Sequence, residues 1–262
     1  MLAEICERDG MKNKELGQAR AVLDRATGEG DLRVAVGLVA DSQGVLLQHA
    51  SGYKDQNKVV PMQSDSIFAI ASMTKLVTTI AALQLDEKRQ LNLDETLDVY
   101  LPEIKEIQIM GGFDEKDNAL YATATRAPTV RELITHTSGY VYSIWNEQAQ
   151  MAQSKGLTNP LGAGRSSIDA PLFFEPGSRW EYGIGIDWLG VLIEKVSGES
   201  LMDYFEHHIF SPLGMVDSFY EYPDEKMDRS VRMSARLEGE LIESELYQPE
   251  AVPPGSIDFY SG

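Results

Sequence analysis

Apolar residues recur at helical spacing over 14–27, where Leu16, Ala19, Val22, Leu23 and Ala26 line one side before Gly28 and Gly30 end the run. Two apolar runs follow, 32–40 and 45–50, joined by Asp41-Ser42-Gln43-Gly44. They predict a hairpin covered on at least one face. A third short strand is predicted near Val59 and Val60, ahead of Pro61. Residues 72–89 predict a helix with Ser72 where it begins and an apolar stripe of Leu76, Ile80, Ala81 and Leu83 turned to the core. From about 90 to 215 the pattern is mainly helical, clearest over 129–135, 144–154, 183–196 and 201–210, with turn formers dense over 158–164. Strand-like runs return at 218–222 and 234–237. The order of strands, helices and strands again predicts a helical domain inserted into an α/β layer. The expected division makes 1–80 and 216–262 the sheet domain and 81–215 the helical one.

Charge narrows the function. The 262 residues carry 23 basic and 41 acidic side chains, a net charge of −18. Nucleic acid is excluded as a partner, because phosphate binding needs a concentrated basic surface. Cys6 is the only cysteine, so there is no disulfide framework and no thiolate metal cluster. Its neighbours Glu4, Glu7 and Asp9 raise rather than lower a thiol pKa, which makes it an incidental thiol. No run approaches the ~18 apolar residues of a membrane span. The first ten residues show neither periodicity nor the apolar stretch of a secretory signal, so the chain reads as cytoplasmic.

Most catalytic spacings fail. There is no H-E-x-x-H, and His207 and His208 are adjacent, which on an α-helix turns them in different directions. No serine has glycine two places before and two after it, so the nucleophile elbow of the α/β-hydrolases is missing. His49, His136, His207 and His208 read as turn or surface residues.

S-x-x-K occurs twice. Ser51 and Lys54 lie in a polar turn where a lysine stays solvated and protonated. Ser72-Met73-Thr74-Lys75 opens an apolar helix, and the i to i+3 spacing puts Lys75 on the serine's face. Phe68, Ile70, Met73, Leu76 and Val77 surround it. Desolvation there disfavours the ammonium and lets a lysine work as a base near neutral pH. The helix start would supply free N–H groups for an oxyanion. The bland alternative is an N-cap serine with a surface lysine one turn on.

With this setting, Ser72–Lys75 resembles the nucleophile motif of the penicillin-recognising serine hydrolases, above all their class C β-lactamase-like branch. Further stretches agree in order: Leu133 to Gly139 with L-L-x-H-T-S-G, and Pro176 to Tyr182 with P-G-x-x-W-x-Y. Leu189-Gly190 through Gly198 resembles the helix that follows, and Pro212-Leu213-Gly214-Met215 the close of the helical domain. The resemblance implies an α+β fold, an antiparallel sheet flanked by helices with an inserted all-helical domain. It implies Ser72 as nucleophile, with Lys75 and Tyr182 sharing the proton work and no metal or cofactor. Near Lys75 a phenol's pKa would fall, and a phenolate could take the Ser72 proton; which of the two is the base stays open.

Two departures shape the substrate expectation. Where the β-lactamases of this branch have Asn, two places after the tyrosine, this chain has Ile184, which offers no hydrogen bond to an amide. That moves the expectation from β-lactams toward small-molecule esters, as in the family VIII carboxylesterases. The third motif, Lys-, His- or Trp-x-Gly on a late strand, has no match, and the chain stops at Phe259-Tyr260-Ser261-Gly262. A C-terminal truncation with a weakened site is therefore expected. The rivals are a β-lactamase or D-alanyl carboxypeptidase, and a catalytically impaired fragment or non-catalytic binding module of the same fold.

Overall fold

The computed structural model describes residues 2–54, 57, 59–104, 106–158 and 169–244, with the backbone alone for 2–13. Its first elements are α1 (Leu2–Gly28), β1 (Val34–Asp41), β2 (Gly44–Gly52), α2 (Thr74–Glu87), α3 (Leu97–Tyr100), β3 (Gln108–Phe113) and β4 (Ala119–Thr123). Then come α4 (Val130–Ile134), α5 (Glu147–Ser154), α6 (Gly185–Ser197), α7 (Leu201–Phe205), α8 (Ser211–Leu213), β5 (Ser234–Leu237) and β6 (Glu240–Glu243). The architecture is α+β, its described strands forming three antiparallel hairpins. Among the described residues the chain divides into two compact units, one of 2–69 with 222–244 and one of 70–221. The expected 158–164 turn, from Asn159 on, and the terminal Phe259–Gly262 run lie outside the described residues, as does the side chain of Cys6.

In the first unit α1 begins at Leu2, well ahead of its predicted start. The Leu, Ala, Glu and Arg of its first turns are good helix formers even without an apolar stripe. The predicted hairpin forms, in register from Val34 opposite Gly52 to Asp41 opposite Gly44. Asp24 of α1 fastens it: one carboxylate oxygen accepts from Ser51 Oγ at 2.8 Å and lies 2.7 Å from His49 Nε2. The strand predicted near Val59 reduces to one bridge, Tyr53 to Pro61, where proline cannot donate to extend a ladder. Residues 218–222 form no strand, whereas 234–237 does, paired with β6.

The second unit is built around α6. Every residue from Gly185 to Ile193 is buried, so this helix is a core element on all sides. Leu85 of α2, Leu133 of α4 and Phe205 of α7 join the same cluster. On α2 the buried face is Lys75, Thr78, Ala81, Ala82 and Leu85, whereas Leu76, Ile80 and Leu83 are exposed. The predicted stripe is thus largely corrected, keeping only Ala81: the small side chains of Thr78, Ala81 and Ala82 on the buried face let α2 approach its neighbours closely. Thr129 caps α4 with a complete capping box to Glu132. The β3–β4 hairpin interrupts a block read as helical; Asp114 and Asn118 bracket its turn, with Asn118 N–H donating to Asp114 Oδ1 at 2.8 Å.

Candidate active site

Ser72 does not cap a helix. It sits in a 3₁₀ turn, Ala71–Met73, and α2 starts only at Thr74, with Met73 in the N-cap place making no side-chain bond. Ala71, just before it, has φ +43°, a left-handed conformation that costs an L-residue roughly 1–2 kcal/mol. Strain of this kind gathers where a turn must hold a side chain in one place. The Met73 N–H is spent on the Ile70 carbonyl at 3.0 Å, so it is not the free donor expected of a helix start.

The result is an exposed serine hydroxyl on a buried amine. Lys75 is only 6% exposed, and its Nζ donates to Ser72 Oγ at 3.2 Å. It also donates to the Tyr142 hydroxyl at 3.2 Å. Tyr182 comes to the same ammonium by its ring face, with Nζ 5.4 Å from the ring centroid, a distance at which the aromatic quadrupole attracts a cation. Ser72, Tyr142 and Tyr182 thus all meet Lys75, two of them by hydrogen bond and Tyr182 by its ring. Tyr142 sits at 5.5 Å from Tyr182 between ring centroids, and Trp145 edges both rings, at 6.0 and 5.4 Å.

Tyr142 escaped the sequence reading because nothing in its spacing ties it to Lys75. Gly139 turns the chain at φ +97°, where a Cβ would lie 2.4 Å from the Phe174 carbonyl. Gly183 lets the next motif pass close by, since a Cβ there would lie 2.2 Å from the Tyr140 carbonyl. The 136–142 and 180–183 segments are thus packed backbone to backbone, and each tyrosine is carried by one of them.

An ion pair ties the same motifs together. Arg126 grips Glu132 through both guanidinium nitrogens, at 2.7 and 2.6 Å, and also donates to the Pro176 carbonyl at 3.1 Å. Burial works against the Glu132 carboxylate, but the Arg126 guanidinium and the Thr129 N–H outweigh it, and its pKa lies below the usual carboxylate range. His136, between the motifs, is half-buried. Desolvation first, and the Lys75 charge second, push its pKa down to about 4.

Other sequence candidates fall outside this cluster. Ser51 is bonded to Asp24 and to Thr27, while Lys54 donates to the Asp228 carbonyl at 3.2 Å, so that S-x-x-K is no unit. Ile184 is 1% exposed in the core of the helical unit. An asparagine there would not meet a substrate, so the substrate argument drawn from that position loses its physical basis. His207 and His208 also depart from the α-helical expectation. The stretch Glu206–Phe210 is a π-turn, and its wider pitch lets both rings reach Glu199, at 2.8 and 2.9 Å. Among the described residues no group of three or more His, Cys, Asp or Glu is arranged to hold a metal ion, and no helix is long and apolar enough to cross a membrane. An open pocket of about 510 Å³ lies beside Trp145, with Met110, Phe173, Arg179 and Glu181 among its walls.

Known proteins resemble this chain over much of its length. The beta-lactamase family model matches residues 19–252. A lovastatin esterase of Penicillium rubens is 35% identical over 212 residues, 78% of this chain and 52% of that protein. A monacolin J acid methylbutanoyltransferase of Aspergillus terreus is 36% identical over 167 residues, 63% of this chain and 40% of that protein. Among solved structures, a mutant of the simvastatin synthase of Aspergillus terreus superposes with a TM-score of 0.81 at 29% identity, covering 91% of this chain and 59% of the other. The chain spans about half the length of these relatives.

Proposed function

The chain belongs to the beta-lactamase family, and from that premise we propose that it is a serine hydrolase cleaving carboxylic esters of small molecules through an acyl-enzyme on Ser72. The observation that carries this reading is the exposed Ser72 hydroxyl 3.2 Å from the Nζ of a lysine that is itself only 6% exposed. A serine needs an adjacent base to become a nucleophile, and the S-x-x-K pair supplies one without histidine.

In this mechanism Ser72 Oγ bonds to the ester carbonyl carbon while its proton passes to the Lys75–Tyr182 pair. Collapse of the tetrahedral intermediate breaks the bond to the alkoxide, which leaves with that proton, delivered from Tyr182. Water then adds to the acyl carbon as one of its protons passes to the same pair, the bond to Oγ breaks, and the pair returns the proton to Ser72 as the carboxylic acid departs. Tyr142, at hydrogen-bond distance from Lys75, holds the amine in place between these transfers. The exposed indoles of Trp145 and Trp180 and the pocket beside Trp145 favour a bulky organic substrate over a small ion. Relatives include an esterase and an acyltransferase, so an alcohol in place of water is the natural variant of the second half-reaction. A cytoplasmic site of action belongs to the same reading, fits the single cysteine, and is tested by cell fractionation.

The test is the intact mass of the purified 262-residue chain after treatment with a fluorophosphonate, beside Ser72→Ala and Ser51→Ala. One adduct, lost in Ser72→Ala and kept in Ser51→Ala, is expected. An adduct that survives Ser72→Ala, or none on a chain that circular dichroism shows to be folded, overturns the assignment.

A further inference from the structure

His136 touches the tyrosine-bearing segment at every residue from 180 to 183. Its backbone carbonyl accepts the Glu181 N–H at 2.9 Å, and its Nδ1 accepts the Gly183 N–H at 3.4 Å. Its ring lies against the Tyr182 ring, centroids 4.6 Å apart and planes at 50°, and meets the Trp180 indole edge-on at 6.4 Å. The residue pays for this posture with φ +56°, outside the comfortable range of a residue with a Cβ. An Nδ1 that accepts must be unprotonated, so the neutral ring carries its proton on Nε2.

We infer that His136 is a positioning residue for Tyr182: as the Nε2–H tautomer it receives the Gly183 N–H and backs the phenol ring, setting the angle at which Tyr182 faces Lys75. The inference rests on the reading of Tyr182 as a proton carrier. It makes a histidine outside the S-x-x-K pair matter to the rate without touching a reacting atom. A protonated Nδ1 would lose the Gly183 bond and set a second cation beside Lys75. The neutral state fits the half-buried site and the nearby Lys75 charge, which both hold the imidazole's pKa down.

A double-mutant cycle on fluorophosphonate labelling separates positioning from a merely structural role. In the full chain, His136→Leu keeps bulk but removes the acceptor. It is expected to lower kinact about tenfold with KI unchanged, the split expected when only the transition state suffers. In a Tyr182→Phe background the same change should alter kinact less than twofold, since no phenol remains to be aimed. His136→Asn keeps an acceptor near the Nδ1 place and tolerates positive φ, so it should recover to within about threefold of wild type. If His136→Leu fails to fold, the Asn variant carries the cycle, its smaller loss vanishing in the Tyr182→Phe background. Losses that simply add in the double variant, or a folded His136→Leu variant labelled at the wild-type rate, overturn the inference while leaving Ser72 and Tyr182 in place. A Tyr182→Phe single variant that labels normally overturns the role of Tyr182 and this inference with it.

Discussion

Tyr142→Phe removes one oxygen atom and leaves the ring that packs against Tyr182 and Trp145. What is lost is the 3.2 Å hydrogen bond from the Lys75 ammonium. Lys75 is only 6% exposed, so water is poorly placed to replace the missing acceptor. A hydrogen bond to a charged group contributes about 1.5–3 kcal/mol. If the bond serves mainly to hold Lys75 toward Ser72, most of that sum appears in the acylation barrier. At 1.36 kcal/mol per factor of ten it corresponds to a rate loss of roughly 10–150-fold. The assay is kinact for fluorophosphonate labelling across pH 6–9, with urea unfolding followed by tryptophan fluorescence on the same samples. Slower labelling of a chain that unfolds within about 1 kcal/mol of wild type places the bond in the chemistry, since replacing a single hydroxyl rarely does more to a fold. Wild-type labelling by a folded variant would refute the reasoning and leave Tyr142 as packing.

Two further outcomes follow from the geometry. Ile184→Asn should destabilise the chain by about 3–5 kcal/mol, the apolar burial lost plus an amide placed in the core; a urea midpoint equal to wild type would contradict the position of Ile184 in the core. At the π-turn, the hydrogen bond to Glu199 raises the His207 pKa above 6.5, and His207 and His208 in turn hold Glu199 below 4.5. A raised histidine stabilises fully below its unfolded pKa near 6.5 and loses that contribution as pH rises through the folded value. The depressed glutamate contributes above about 4.5 and loses its share as pH falls through its lower folded value. The stability gap between wild type and His207→Gln should therefore be widest near pH 5–6 and narrow toward pH 8, read from urea midpoints; a gap independent of pH would count against the pairing.

Much of the fold was legible along the chain because it depends on local rules. The hairpin at 34–52, the capped helix after Thr129 and the buried helix ending at Gly198 follow from paired apolar runs about a turn, a capping residue and a left-handed glycine. The Ser72–Lys75 pair was legible too, since i to i+3 spacing on a helical turn fixes its own neighbours. What the sequence could not settle was contact between distant segments. It took tertiary packing to bring Tyr142 to Lys75, to sink Ile184 in the core, and to turn α2 so that Ala81, Ala82 and Leu85 face inward while Leu76, Ile80 and Leu83 do not. Packing also bent 206–210 into a π-turn that aims two adjacent histidines at one carboxylate. The local period of the chain determined which residues form elements. Which face is buried, and which side chains meet across more than a hundred residues, was decided by how closely small residues let those elements approach.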